Sequence, residues 1–257
     1  MNFTNMSKIS VITASYNAVE KIEKTILSII NQNYNFEYFI IDGGSTDGTV
    51  DIIKKYENKI DYWVSEPDKG IYDAMNKGIS KAKGKYIIFI HAGDILRENI
   101  LSDLAEEFQD NKCKFLYGNV LMKDINKIYN GKYNKYKSML SSICQQAIFY
   151  HKDIFRIVGI HEIKYKILAD RVLNIKCFGE KKIKKKFINK IIADYEGGGF
   201  SSNQIDYVFE KERITIIKEN FGLVYVFLFI FRKIIINSLE FLKLKNKIKE
   251  LINFGNN

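Results

Sequence analysis

Proline is almost missing from this chain: 257 residues contain one, along with three cysteines, three histidines and a single tryptophan. With so little proline and no low-complexity tract, long stiff linkers and extended disorder are excluded. The cysteines, Cys113, Cys144 and Cys177, are odd in number and far apart. They fit neither a disulfide framework nor a zinc spacing, and a reducing cytosol is the expected compartment. The opening residues MNFTNMSKIS lack the apolar core of a secretory signal. No internal repeat is visible. No GKS or GKT follows a glycine-rich turn, and no GxGxxG occurs, which removes the P-loop and the dinucleotide fingerprint.

What the chain does have is lysine and apolar residues. Net charge is +10, supplied mostly by lysine, while 46% of residues are apolar. That apolar share suits one large α/β domain, or one domain with an appendage. A basic balance suits a phosphate-rich ligand, an anionic membrane surface or nucleic acid, and equally a solvated lysine-rich surface.

Short apolar runs alternate with helical spacing through the first hundred residues. Lys8 to Ala14, Phe36 to Ile41, Tyr62 to Val64 and Tyr86 to Ile90 read as strands. Between them, Val19, Ile22, Ile26, Ile29 and Ile30 share a helical face, as do Ile71, Ala74, Met75, Gly78, Ile79 and Ala82. A βαβαβαβ series predicts a three-layer α/β/α architecture around a mainly parallel sheet. In such a sheet, ligands bind beyond the carboxyl ends of the strands. The loops at that edge begin with Ser15, Asp42 and Asp94.

Asp42 opens DGGSTDG, in which Gly43 and Gly44 permit close backbone approach to a ligand. Asp42 suits a hydrogen bond to a base or ribose. A tight turn with a cap at Ser45 or Thr46 accounts for the glycines and hydroxyls alone. Asp94 closes the strand-loop sequence YIIFIHAGD and suits a metal ligand. A cap for a helix starting near Arg97 is the competing role.

The series VITASYN, IIDGGSTDGT, SEPDKGIYDAMNKGI and AKGKYIIFIHAGD resembles the nucleotide-sugar domain of family 2 glycosyltransferases, especially bacterial enzymes of O-antigen, capsule and exopolysaccharide synthesis. The resemblance is strong from Lys8 to Leu96 and weaker to Ser202. It implies a GT-A, Rossmann-like fold, inversion at the anomeric carbon, and Mn²⁺ or Mg²⁺. It implies that Thr13, Ser15 and Asn17 border the nucleotide and that Asp42 and Gly43 lie at the base. Asp68, Lys69, Asp73 and Gly93 would face the nucleotide sugar, and Asp94 would hold the metal on the diphosphate. Ala92 and Gly93 stand where many relatives carry another aspartate. His91 is unusual there and suits either a supporting group or a packed neutral histidine.

The later region is expected to form the acceptor half, giving a transferase domain over 1–203 (halves 1–96 and 97–203) and a helical region over 204–257. Ile100, Leu101, Leu104 and Phe108 predict a helix, and Lys114 to Met122 a strand. Ser142 to Tyr150 reads as a strand containing Gln145 and Gln146, which suit sugar hydroxyls or buried backbone. Similar enzymes often have His-Gln there, and Gln145 departs from it. Ala169-Asp170 precedes a helix where the resemblance places the catalytic base. A carboxylate there would take the proton of the attacking hydroxyl, whose own pKa is far above neutral. A helix cap is the alternative. Asp94 and Asp170 are therefore expected to face one cleft. Tyr195 to Ser202 reads as a glycine-rich loop able to close over the diphosphate.

From Asn220 to Phe231, ten of twelve residues are apolar, and Arg232-Lys233 then interrupt. A spanning helix takes about 20 apolar residues. The segment 221–250 thus suits peripheral contact with the cytoplasmic face of a membrane, or a packed or homodimer face. The expected partners are a nucleotide-sugar donor and a glycan or lipid-linked acceptor. A nucleotidyltransferase would want a glycine-rich, basic loop where TASYN stands. A nucleic-acid binder would want aromatics interleaved with basic residues on a recognisable module, and none is seen.

Overall fold

The computed structural model describes residues 9–109, 113–129, 131–195 and 204–254. The first half alternates β1 (Ile9–Ser15), α1 (Ile22–Ile30), β2 (Phe36–Asp42), α2 (Thr49–Lys55), β3 (Tyr62–Ser65), α3 (Ile71–Lys81) and β4 (Tyr86–Phe89). There follow β5 (Ile95–Leu96), α4 (Ile100–Asp103), α5 (Ala105–Gln109), β6 (Phe115–Met122), β7 (Lys127–Tyr129) and α6 (Lys135–Leu140). A 3-10 turn (Gln145–Ala147) leads into β8 (Ile148–His151), α7 (Asp153–Ile157), α8 (Ala169–Gly179) and β9 (Lys185–Tyr195). The chain then continues as α9 (Tyr207–Phe221) and α10 (Leu223–Phe254).

One sheet runs β3-β2-β1-β4-β8-β6-β9-β5, with β7 paired to β6. β3, β2, β1 and β4 are parallel neighbours. β8 is inserted antiparallel between β4 and β6, and β9 pairs parallel to β6. The sheet is therefore mixed, with its parallel character concentrated in the first half. β1 and β4 are buried along their whole length, as strands covered on both faces must be. Val11 and Ile40 pack in the cluster that contains Ile22, Ile26 and Ile53, whereas Ala14 and Ile41 pack with Ala74 of α3. Gly78 lets α3 lie close to the sheet, since a Cβ there would come within 2.5 Å of Ile12.

Several local expectations change. Val19 lies outside α1 because its N–H is held by the Asp47 carboxylate at 3.0 Å. α2 begins after Gly48 (φ +100°), so neither Ser45 nor Thr46 is its cap. The helix expected through Phe108 breaks at Leu104 into α4 and α5. Gln145 and Gln146 sit in the 3-10 turn before β8, not inside the strand.

The chain divides into two compact units, 1–211 and 212–257. The expected boundary at 203/204 falls earlier, which leaves Asp206 in the first unit. In the second, Gly222 (φ +87°) separates α9 from α10, and the Arg213 guanidinium lies 4.6 Å from the centre of the Phe229 ring. Among the described residues, no helix is long and apolar enough to cross a membrane.

Candidate active site

Strand register sets the site. Ser15 pairs with Asp42, and Asp42 with Ser65, so the carboxyl ends of β1, β2 and β3 are level. Asp42 is fully buried. Its Oδ1 accepts from the hydroxyls of Ser15 (2.8 Å) and Ser45 (2.6 Å). Its Oδ2 accepts from Ser65 Oγ (2.7 Å) and the N–H groups of Gly44 (3.1 Å) and Ser45 (2.8 Å). Burial opposes its ionisation, but the bonds from Ser45, Ser65 and Ser15 outweigh that and lower its pKa. Both Asp42 oxygens are thus engaged in fixing the loop. Thr13 is also interior, donating to the Ile90 carbonyl at 2.7 Å, and does not border the edge.

The residues left facing outward are neighbours of these. Asn17 is exposed at φ +45°, and its Oδ1 accepts from Thr46 N–H at 3.0 Å. Gly43 is bound to Ser15 through a backbone bond of 2.9 Å. A Cβ on Gly43 would lie 2.9 Å from Asp68 Oδ2, so glycine there lets the Asp68 carboxylate approach the β2 loop. Asp68 accepts from Gly70 N–H (2.8 Å), and Asp73 from Lys69 N–H (3.1 Å), which shapes the turn into α3.

Beyond β4, the loop from His91 to Asp94 is tied to α1. Thr25 Oγ1 accepts from Gly93 N–H (3.0 Å) and donates to the Asp94 carbonyl (2.9 Å). Gly93 has φ +108°, which an L side chain resists. Asp94 is 7% exposed. It does not cap a helix, because α4 starts only after Asn99. Instead its Oδ1 accepts from Gln146 Nε2 at 3.1 Å. β8 runs antiparallel to β4, so the turn before β8 arrives at the end where β4 stops. His91 is a packed neutral histidine: its ring stacks on Phe89, and burial pushes its pKa down to about 4.

Gln145 points elsewhere. Its Nε2 lies 3.2 Å from His161 Nε2 and 3.9 Å from Met75 Sδ. Neither glutamine serves buried backbone.

Asp170 lies in the first turn of α8, not before it, and is half-buried. Tyr72 Oη is 2.8 Å from its Oδ1. Burial raises the Asp170 pKa, against the hydrogen bond from Tyr72 and the N–H and charge of Arg171. A carboxylate displaced toward neutrality is a better proton acceptor. The Arg171 guanidinium turns inward, donating to the Met139 carbonyl at 2.9 Å and lying over the Phe209 ring.

Cys144 feels the charge of both acids. Burial pushes its thiol up to about 12, and the charges of both Asp94 and Asp170 act on it in the same direction. The two carboxylates, 76 positions apart by number, therefore both act on one half-buried thiol. Sequence reasoning gave no role of their own to Tyr72, Asn76, Cys144, His161 and Asp206. Only Tyr72 and Asn76 carried a signal, lying within the DKGIYDAMNKG motif. The loop 196–202 falls outside the described residues.

Residues 10–171 match the profile of Glycosyl transferase family 2. The chain belongs to that family. It is 31% identical over 210 residues to a PGL/p-HBAD biosynthesis glycosyltransferase of Mycobacterium bovis, covering 79% of this chain and 82% of the relative. It is 37% identical over 114 residues to the putative teichuronic acid biosynthesis glycosyltransferase TuaG of Bacillus subtilis, covering 42% and 45%. Among solved structures it is similar to S. aureus TarS 1–349 in complex with UDP-GlcNAc: TM-score 0.71, 17% identity, 83% of this chain and 67% of that one. It is also similar to the mannosyltransferase PcManGT of Pyrobaculum calidifontis in complex with GDP-Man and Mn²⁺: TM-score 0.62, 15% identity, 86% and 64%. The chain thus spans about two thirds of each of these solved chains. The fold is GT-A, and the family 2 chain is a glycosyltransferase. These matches lend nothing to the nucleotidyltransferase or non-enzymatic readings.

Proposed function

We propose that this family 2 enzyme inverts the anomeric centre, moving a sugar from a nucleoside-diphosphate donor to a growing or lipid-linked surface glycan. The observation that carries this reading is a short chain of contacts between the two acids: Gln146 bonds Asp94, its neighbour Gln145 lies against His161, His161 stacks on Tyr72, and Tyr72 bonds Asp170. A carboxylate able to hold a cation on the leaving diphosphate and a base beside the incoming alcohol are what single displacement needs.

Asp170 takes the acceptor hydroxyl proton as its oxygen attacks. The new glycosidic bond forms as the bond to the diphosphate breaks on the opposite face, which inverts the centre. Asp68, Lys69, Asp73 and Gly43 line the donor side, with Ser15 and Asp42 fixing the loop behind them. Gln146 holds the Asp94 carboxylate in place. Among the described residues there is no cluster of three or more His, Cys, Asp or Glu able to hold a metal. A lone carboxylate fits Mn²⁺ or Mg²⁺ held chiefly by diphosphate and water, with hard oxygen ligands throughout. Bound at Asp94, such an ion would neutralise charge on the departing diphosphate.

A uridine donor is supported by the UDP and UDP-GlcNAc complexes of TarS, and a divalent ion by the Mn²⁺ in PcManGT. The polymer class is supported by the names of the M. bovis and B. subtilis relatives. α10 carries exposed Leu223, Val224, Phe227, Phe231 and Ile234, followed in sequence by many lysines. That pattern supports peripheral binding at the cytoplasmic membrane face, where lipid-linked acceptors reside. A thermal-shift panel of UDP- and GDP-sugars, with and without Mn²⁺, tests the reading. A donor that binds the native state raises Tm, and one UDP-sugar should do so only with Mn²⁺. A panel in which no nucleotide sugar moves Tm contradicts it.

A further inference from the structure

The turn that carries the base is gripped from two sides. Tyr72 Oη lies 2.5 Å from the Ile167 carbonyl oxygen and 2.8 Å from Asp170 Oδ1. Asp206 Oδ2 accepts from the N–H groups of Ile167 (3.0 Å) and Leu168 (3.2 Å). The Tyr72 ring is itself fixed, stacked on His161 with centroids 5.5 Å apart. Asn76, one helical turn after Tyr72, clamps the His161 backbone, donating to its carbonyl (2.8 Å) and accepting from its N–H (3.1 Å). Tyr72 thus reaches from the first turn of α3, beside Asp73, to the first turn of α8.

A phenol has one proton, so Tyr72 cannot donate fully to both acceptors. We propose that Tyr72 is a positioning residue for Asp170, its hydroxyl orienting the ionised carboxylate and turning to the Ile167 carbonyl once the base is protonated. A carboxylate is a stronger acceptor than an amide carbonyl, and a neutral carboxyl is a weaker one. With Asp170 ionised, the phenol proton faces Oδ1. When Oδ2 takes the acceptor proton, the O–H of the acceptor breaks and an O–H on Asp170 forms. The Tyr72 proton stays on its own oxygen throughout and only changes partner. The idea rests on the reading of Asp170 as the base. Of the other groups near this pair, Arg171 on α8 acts on Asp170 and Asp206 acts on Tyr72, while Tyr150 on β8 and Cys144 before the 3-10 turn are neutral groups raised in part by the Asp170 charge.

Tyr72→Phe keeps the ring on His161 and removes only the hydroxyl. The Asp170 carboxyl can be followed by ¹³C NMR in aspartate-labelled protein, its signal assigned by its loss in Asp170→Asn. The expected result is an upward move of the Asp170 titration in Tyr72→Phe. Turnover of UDP-GlcNAc, or of the sugar nucleotide that the Mn²⁺ panel identifies, should fall about tenfold in kcat with donor KM unchanged. Incorporating 3-fluorotyrosine at position 72, a stronger donor, should move the titration downward, and this serves if Tyr72→Phe does not fold. An Asp170 titration that is unchanged by either substitution overturns the proposal. If the titration moves but Asp170→Asn still turns over at the wild-type rate, the base reading fails, and the role of Tyr72 in transfer fails with it.

Discussion

Gln146 Nε2 donates to Asp94 Oδ1 at 3.1 Å, joining the turn before β8 to the loop after β4. Only the N–H side of an amide can face a carboxylate, so this bond also fixes which way Gln146 points. A polar group that orients a metal-binding carboxylate typically matters tenfold or more for metal affinity. Gln146→Leu should therefore weaken Mn²⁺-dependent UDP binding about tenfold by calorimetry, and Asp94→Ala should remove its Mn²⁺ dependence. Equal affinity in Gln146→Leu and wild type would show that the bond does not serve the metal.

Asp42 makes a different prediction, one about stability. It is fully buried and both oxygens accept hydrogen bonds. Removing the carboxylate strands three hydroxyls and two backbone N–H groups. Asp42→Ala should cost about 2–4 kcal/mol in urea unfolding. If Asp42 instead contacts the nucleotide alone, the variant will lose donor affinity with an unchanged midpoint.

Acid should destabilise the fold through its histidines. Burial pushes His161 down to about 3 and His91 to about 4, and His151 is lowered as well, chiefly by burial. Unfolded, each returns to its ordinary value of about 6.5. Between these limits the unfolded chain binds protons that the folded chain refuses, so stability falls as pH drops below about 6.5. Each such histidine contributes up to about 1.4 kcal/mol per pH unit. Asp42, held low, adds a loss at still lower pH, whereas Asp170, held high, acts in the opposite sense. A Tm profile should be level near pH 7–8 and decline toward pH 4. In His161→Phe the decline should be shallower, and an equal slope in both proteins would remove His161 as a cause.

How much of this the chain announced beforehand depends on the range of each interaction. β1, β2 and β4 were legible because each is a short apolar run ending in the polar residues of a loop. Asp94 and Asp170 stood out as candidates through local motifs. The partners of these residues did not. Tyr72 and Asp170 are 98 positions apart, and Asn76 and His161 are 85 apart. No local periodicity encodes such pairings. Gln145 and Gln146 read as strand because the residues after them are apolar, yet the chain first makes a 3-10 turn that spends both amides on side chains. The five hydrogen bonds that Asp42 accepts were not legible either, since a sequence does not display how many hydroxyls converge on one carboxylate.

The apolar face of α10 makes a prediction of its own. Phe227 is 69% exposed and Phe231 64%. Replacing both by glutamate puts charge where acyl chains would lie, and should abolish co-sedimentation with phosphatidylglycerol vesicles. Wild type should bind such vesicles in a salt-sensitive way. Wild-type protein left in the supernatant would remove the membrane reading.

The most direct measurement is single-turnover transfer by Asp170→Asn, run beside calorimetry of the same variant with UDP and Mn²⁺. The account predicts UDP affinity within about threefold of wild type and transfer reduced by 10² or more, the loss expected for a general base. Transfer at the wild-type rate in Asp170→Asn would contradict it.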